Sequence, residues 1–216
     1  MREADYNASD RQFSDRAKLV VVSGCPGSGK TTLLEEMGRR GFRVSPDPRR
    51  QVIKEELAIG GDGLPWRNVD RFIDLSVSRG MYFYNTALPR PEQPPLPHVR
   101  PPPMHGTDEQ RAHEHVLFDR SLIDSIASFA QRALSTPDRY VAALARYRYA
   151  NTVFLTPPWP ALFVPNQDRQ HSFEDALNEY QSLITSFKAH GYELVLIPRL
   201  PVAERADFLQ VVLTHL

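Results

Sequence analysis

A glycine-rich segment near the start of the chain has the residue types and spacing of a phosphate-binding loop. Residues 24–31 read Gly-Cys-Pro-Gly-Ser-Gly-Lys-Thr and satisfy the pattern G-x-x-x-x-G-K-[ST]. Glycines let successive backbone N–H groups curl around phosphate oxygens, and the following helix adds the positive end of its dipole. Lys30 should reach the β- and γ-phosphates, and the Thr31 hydroxyl should hold Mg²⁺. The residues predicted to contact this nucleotide triphosphate are Gly24, Pro26, Gly27, Ser28, Gly29, Lys30, Thr31 and Thr32.

Two aspartates follow short runs of strand-forming residues. Asp119 ends the run at 115–119, and open parallel sheets bind ligands beyond the carboxyl ends of their strands. Its carboxylate could hold the water shell of Mg²⁺, as a catalytic metal-site residue, or cap the following helix. Asp47 could orient or deprotonate an attacking hydroxyl, but Asp47-Pro48 also has the form of an N-cap and a first helical residue. Both interpretations stay open for each aspartate.

Three arginines could bring positive charge to a phosphate or a substrate. Arg50 lies one helical turn after Asp47 and could clamp an acceptor. Arg120 could offer a forked donor to a phosphate or a substrate hydroxyl, or form an ordinary surface ion pair. Arg169 lies in a predicted lid at residues 157–171, which could close over a nucleotide and bring a catalytic cation to the transferring phosphoryl group. A solvated loop arginine is the competing interpretation of Arg169.

These residues need a scaffold, and the pattern of the chain predicts one in which strands and helices alternate. Residues 18–23, KLVVVS, form a β-branched run typical of a strand buried on both faces. Alternation of this kind predicts an α/β fold with a parallel sheet covered by helices on both faces. The other predicted strands span 42–45, 115–119, 152–156 and 192–197. The predicted helices span 31–40, 48–59, 68–87, 122–134, 137–149, 173–190 and 202–216.

Length and composition favour one globular domain. The chain has 216 residues, of which 41% are hydrophobic, and its 26 basic residues balance 26 acidic ones. Because no global positive field exists, nucleic acid is not an expected partner. The chain lacks a signal peptide and any apolar run near the roughly 18 residues of a membrane span, so we expect a cytoplasmic protein without a membrane partner. We expect a flexible leader at 1–17, a single domain at 18–216 and a proline-rich loop at 88–104.

Several stretches, in one order, resemble a known family. They read GCPGSGKTT, SPDPRR, FDRSLID, TPPW with DRQHSFEDA, and GYELVLIP with PVAER. This set is similar to the predicted-ATPase family that includes the ATPase domain of the bacterial ribosylnicotinamide kinase and NAD regulator. The likeness spans about residues 18–208.

The resemblance implies a three-layer P-loop NTPase fold like that of nucleoside and nucleotide kinases, with five parallel strands in the order 2-3-1-4-5. It also implies ATP and Mg²⁺ as cofactors. The Asp119-Arg120-Ser121 step looks like one in deoxynucleoside kinases that flanks metal and substrate, whereas Asp47 departs from the glutamate usual at its position. Two functions stay open: a kinase acting on a small, nucleoside- or nucleotide-like acceptor, and an ATPase or non-catalytic nucleotide-binding switch that acts through a protein partner.

Overall fold

The fold is described from a computed structural model of the chain. The described residues are 16–87, 112–131, 135–162 and 172–216. The predicted proline-rich loop, the predicted leader apart from its last two residues, and the predicted lid from residue 163 onward, with Arg169, lie outside these ranges. Within them, no helix combines the length and the apolar character needed to cross a bilayer.

Five parallel strands form the central sheet, in the order β2-β3-β1-β4-β5 that was predicted. The strands are β1 (Leu19–Gly24), β2 (Arg43–Ser45), β3 (Val116–Asp119), β4 (Thr152–Thr156) and β5 (Glu193–Leu196). Central β1 pairs with β3, where Val22 lies opposite Asp119, and with β4, where Gly24 lies opposite Thr156. Because all strands are parallel, Gly24, Asp119 and Thr156 lie at the same edge of the sheet.

Seven α-helices occur in the described part of the chain. They are α1 (Lys30–Arg39), α2 (Pro48–Ile59), α3 (Val69–Thr86), α4 (Leu122–Gln131), α5 (Asp138–Arg146), α6 (Phe173–Ala189) and α7 (Val202–Leu213). Each was predicted from the sequence, with ends that differ by a few residues. The sequence did not predict the short 3-10 helix at Pro160–Leu162, which follows β4.

Alternating residues of β1 point to opposite faces of the sheet and divide the core in two. Val20 and Val22 belong to one cluster of buried residues, together with side chains of α1 and α7. Leu19 and Val21 belong to the other cluster, which includes side chains of α2, α3, α4, α5 and α6. All four β1 side chains are fully buried. The result is the predicted three-layer arrangement, with the sheet between two layers of helices.

Side-chain caps fix the starts of two helices near the predicted site. The Asp47 carboxylate accepts hydrogen bonds from the Arg49 N–H at 2.9 Å and the Arg50 N–H at 3.4 Å, and Pro48 is the first residue of α2. At the start of α6, Ser172 and Asp175 form a capping box. The capping interpretation of Asp47 is therefore confirmed, and its carboxylate is held at the carboxyl end of β2.

Candidate phosphate-binding site

The loop between β1 and α1 has the curled backbone that the glycine pattern predicts. Gly24, Gly27 and Gly29 have φ angles of 150°, 77° and 76°, which L side chains rarely adopt. At Gly24 a Cβ atom would also lie 2.1 Å from the Thr156 Oγ1 and 2.6 Å from the Thr156 carbonyl oxygen. Ser28 ties the turn together, since its hydroxyl donates to the Cys25 carbonyl at 2.8 Å and lies 2.6 Å from the Thr156 Oγ1.

The amino terminus of α1 is open to a ligand. Gly29 is its N-cap residue, and no side chain caps the helix. The first N–H groups of a helix have no partner within it, and they carry the positive end of the helix dipole. A cavity of 390 Å³ lies over this terminus. Its lining residues are Pro26, Gly27, Ser28, Gly29, Lys30, Thr31, Thr32, Arg50 and Leu162, which include all of the predicted nucleotide contacts except Gly24.

Lys30 and Asp119 form an ion pair at the floor of this site. Both residues are buried, and the Lys30 Nζ donates to the Asp119 carboxylate. Burial and the nearby Arg120 lower the pKa of Lys30, although Asp119 and Asp47 act in the opposite direction. Lys30 and Asp119 are therefore brought together, as the sequence predicted for the ends of β1 and β3.

Asp119 does not cap α4, which was the alternative interpretation of this aspartate. The Ser121 hydroxyl accepts a hydrogen bond from the Ile123 N–H at 3.2 Å, and the Asp124 carboxylate accepts one from the Ser121 N–H at 2.7 Å. These are contacts of a side chain that caps a helix start and of an acidic residue that bonds back to it. The Asp119 carboxylate instead faces Lys30.

Thr31 and Arg50 meet at the mouth of the cavity. The guanidinium of Arg50 is exposed, and its NH2 group donates to the Thr31 Oγ1 at 3.3 Å. The sequence assigned Thr31 to the metal and Arg50 to the acceptor. The structure places both residues beside the same cavity, so a ligand on the loop would lie next to both.

Arg120 is buried rather than on the surface, which corrects the interpretation of an ordinary surface ion pair. Its φ angle is 74°, and its guanidinium lies 3.5 Å from Asp47, 3.3 Å from Asp124 and 3.2 Å from Glu179. Burial would lower the pKa of Arg120, but these carboxylates outweigh it and raise the pKa above its usual range. Arg120 is thus a permanent cation that joins α2, α4 and α6 beneath the site.

The Asp47 carboxylate is an anion next to this cation. Burial would raise the pKa of its carboxyl, but Arg120, Arg49 and Lys30 together hold that pKa below its ordinary value. One of its oxygens caps α2, and the other faces the Arg120 Nε. Asp47 is therefore ionised at neutral pH and suited to accepting a hydrogen bond. The depressed pKa makes it a weak base.

Two carboxylates of this network were not predicted from the sequence. Asp124 is buried and accepts hydrogen bonds from the Ser121 hydroxyl, at 2.8 Å, and from the Ser23 hydroxyl. Glu179 lies 3.5 Å from Arg49 and also reaches Arg120. Asp124 ends the FDRSLID stretch, where its spacing from Ser121 is a capping signal. Glu179 lies within a long amphipathic helix and has no local signal.

The fold is shared with proteins of known structure, one of which is a deoxyadenosine kinase. A crystal structure of NadR protein in complex with NR has a TM-score of 0.58 and 17% identity, and the match covers 93% of this chain and 50% of that one. This chain therefore spans about half the length of that protein. The structure of deoxyadenosine kinase from M. mycoides with products dCMP and a flexible dCDP has a TM-score of 0.50 and 11% identity, covering 92% and 100% of the two chains.

The sequence itself also matches a known family. No curated protein matches the chain significantly. A family model described as an AAA domain, however, matches residues 19–82 and 104–205, well over half of the chain. The matched ranges include the phosphate loop, the Asp47 turn, the Asp119-Arg120 step and Arg205. This match shows that the chain belongs to this AAA-domain family.

Proposed function

We propose that this protein is a small-molecule kinase that transfers the γ-phosphoryl group of ATP to a nucleoside- or nucleotide-like acceptor. One observation carries the proposal. The uncapped amino terminus of α1, the Lys30–Asp119 pair and the buried Asp47–Arg120 pair lie together at the carboxyl edge of one parallel sheet. The similar deoxyadenosine kinase structure, which holds dCMP and dCDP, supports this class of acceptor.

The residues of the loop fit a polyphosphate. Positive φ angles at Gly27 and Gly29 turn the backbone, the first turn of α1 offers uncapped N–H groups, and Lys30 supplies a cation. Lys30 lies on Asp119 in this structure, so phosphate binding would exchange one anionic partner of its ammonium for another. That exchange would free the Asp119 carboxylate.

Mg²⁺ fits the same site through Thr31 and Asp119. A hydroxyl and a carboxylate are oxygen ligands of the kind that Mg²⁺ prefers, alongside water and phosphate oxygens. When bound, the ion supplies neutralisation of the charge on the phosphate oxygens. Arg50 donates to the Thr31 Oγ1 at 3.3 Å in this structure, and this hydrogen bond would have to break for Thr31 to bind the ion.

On the acceptor side, Asp47 is proposed to orient the attacking hydroxyl. Its depressed pKa favours a hydrogen-bond acceptor over a group that removes the proton early in the reaction. Arg120 is proposed to hold Asp47 in place and to stabilise negative charge on substrate oxygens. Arg50 at the mouth of the cavity is proposed to contact the acceptor or the γ-phosphate. The catalytic role of Arg169 stays a proposal, since Arg169 lies outside the described residues.

A second function is favoured by a different observation. The charges of Asp47 and Arg120 already satisfy one another, and Asp124 and Glu179 occupy the remaining sides of the guanidinium. A network that is complete without an acceptor suits an ATPase or a nucleotide-binding switch that acts through a protein partner.

ADP release measured with Mg-ATP, with and without pooled nucleosides, nucleotides and sugars, separates these functions. If the protein is a kinase, at least one pool should stimulate ADP release. Lys30→Ala should abolish the stimulation. Lys18→Ala is the matched control. Lys18 is partly exposed, forms an ion pair with Glu114 at 2.7 Å, and does not line the cavity. Tight ATP binding by the wild-type protein with no stimulation by any pool would reject the kinase and favour the switch.

A further inference from the structure

A buried arginine of α7 lies against the phosphate loop. Arg205 is 5% exposed, and its NH1 group donates to the Gly29 carbonyl oxygen at 3.3 Å. The same guanidinium lies 5.7 Å from the centre of the Trp159 ring. Arg205 therefore connects the last helix to the N-cap residue of α1, at the point where the cavity begins.

Arg205 differs from the other buried cations near the site in the charges that the described residues place around it. Lys30 pairs with Asp119, and Arg120 contacts several carboxylates. In the described ranges no carboxylate forms an ion pair with Arg205, and its buried Nε has no hydrogen-bond partner. Burial lowers the pKa of Arg205, the direction opposite to that of Arg120. A buried charge without a counter-ion costs free energy in the unliganded protein.

The contact also constrains the backbone of the loop. Gly29 has a φ angle of 76°, and a Cβ atom there would lie 2.8 Å from the Arg205 NH1 and 2.9 Å from the Leu162 Cδ1. The guanidinium thus packs directly on Gly29. A hydrogen bond to the Gly29 carbonyl holds the peptide unit whose geometry sets the direction of the first N–H groups of α1.

We propose that Arg205 is a positioning residue of the phosphate loop, and that its positive charge strengthens the binding of polyphosphate. The guanidinium acts through Gly29 and adds a fixed charge behind the helix terminus. A bound polyphosphate supplies the negative charge that none of the described residues places beside Arg205. The inference rests on the phosphate-binding part of the proposed function and is independent of whether transfer occurs.

Calorimetric titration with inorganic tripolyphosphate tests this role without any nucleobase or acceptor. Arg205→Met removes the charge and keeps an unbranched apolar side chain, and we expect affinity about tenfold weaker than in the wild-type protein. Arg205→Lys keeps the charge, and we expect affinity within about threefold of wild type. All titrations are made about 10 °C below the lowest unfolding midpoint of the set, so that only folded protein is compared.

Arg40→Met is the matched control. Arg40 also bridges α1 and α7, donating to the Ala203 carbonyl at 3.1 Å and pairing with Asp207 at 2.6 Å, but it lies at the opposite end of α1. We expect its loss to lower stability and to leave tripolyphosphate affinity unchanged.

Unchanged affinity in Arg205→Met would overturn the inference. A tenfold loss in folded Arg205→Lys, which keeps the charge, would overturn it as well and would remain decisive if Arg205→Met did not fold. Failure of the wild-type protein to bind tripolyphosphate or ATP would instead reject the proposed function.

Discussion

Substitution of Gly24 by alanine is expected to lower the free energy of unfolding more than alanine substitution at Gly29 in the same loop. The new Cβ atom would lie 2.1 Å from the Thr156 Oγ1 and 2.6 Å from the Thr156 carbonyl oxygen. The hydroxyl can rotate away, but the carbonyl belongs to β4, which pairs with β1 in the centre of the sheet. Relief of the clash therefore requires a shift of one strand against its neighbour.

The magnitude follows from two costs. A φ angle of 150° at a residue with a side chain costs about 1–3 kcal/mol. Forcing an extra carbon into a packed site costs about 1–3 kcal/mol more. With a total near 4 kcal/mol and a denaturant slope of about 2 kcal/mol per molar, the urea midpoint should fall by about 2 M.

Two other glycines provide the comparison. In Gly29→Ala the Cβ would meet the ends of two long side chains, Arg205 and Leu162, rather than backbone, so the main cost is the positive φ angle, about 1–2 kcal/mol. In Gly38→Ala the Cβ meets nothing within 4 Å inside α1, and the change should stabilise the protein by up to about 1 kcal/mol.

Urea unfolding followed by circular dichroism measures all three variants under the same conditions. The expected order of stability is Gly38→Ala, wild type, Gly29→Ala and Gly24→Ala, from highest to lowest. Adding Thr156→Ala to Gly24→Ala should restore little, because the carbonyl clash remains. An unfolding midpoint for Gly24→Ala equal to that of Gly38→Ala would refute the reasoning, as would full rescue by Thr156→Ala.

Four further predictions concern the charges and the thiol of the site. Asp47→Asn should keep the cap of α2 but reduce acceptor-stimulated ADP release, with ATP affinity unchanged; normal stimulated release would leave Asp47 only its capping role. Because the fold lowers the pKa of Asp47, the ionised carboxylate contributes stability above the unfolded pKa near 3.8. The wild-type protein should therefore lose its stability advantage over Asp47→Asn as the pH falls below about 4. A difference in melting temperature that stays constant with pH would contradict this. Arg120→Met should lower the free energy of unfolding by about 3–5 kcal/mol in thermal or urea unfolding, because it leaves buried carboxylates without their cation. A loss below about 1 kcal/mol would show that these carboxylates do not depend on the arginine. Burial raises the pKa of Cys25 from 9.0 to about 11. Iodoacetamide should therefore label the native protein at pH 8 at least about a hundredfold more slowly than the unfolded chain. Equal labelling rates would show that the thiol is exposed to solvent.

The sequence was sufficient for the parts of the fold that depend on local signals. The glycine-lysine pattern at residues 24–31, the Asp47-Pro48 cap and the β-branched run of β1 each depend on neighbours a few residues away. The strand order was predicted as well, but from the family resemblance rather than from these patterns.

The sequence was insufficient for contacts that join distant residues. Arg120 meets Glu179 across 59 positions and Arg205 meets Gly29 across 176, and no spacing rule connects such pairs. Arg120, which contacts several carboxylates, and Arg205, which contacts none among the described residues, cannot be told apart from the sequence. The packing of α6 and α7 against the sheet decides which contacts each arginine makes.

The central claim is that Lys30 and the uncapped turn of α1 bind the polyphosphate of a nucleotide. Calorimetric titration of Mg-ATP into wild type, Lys30→Ala and Lys18→Ala tests it most directly. A charge-assisted hydrogen bond contributes about 1.5–3 kcal/mol. The account therefore predicts that Lys30→Ala binds ATP about ten- to a hundredfold more weakly than wild type, and that Lys18→Ala binds normally. Equal ATP affinity in wild type and Lys30→Ala, with both proteins folded, would contradict it.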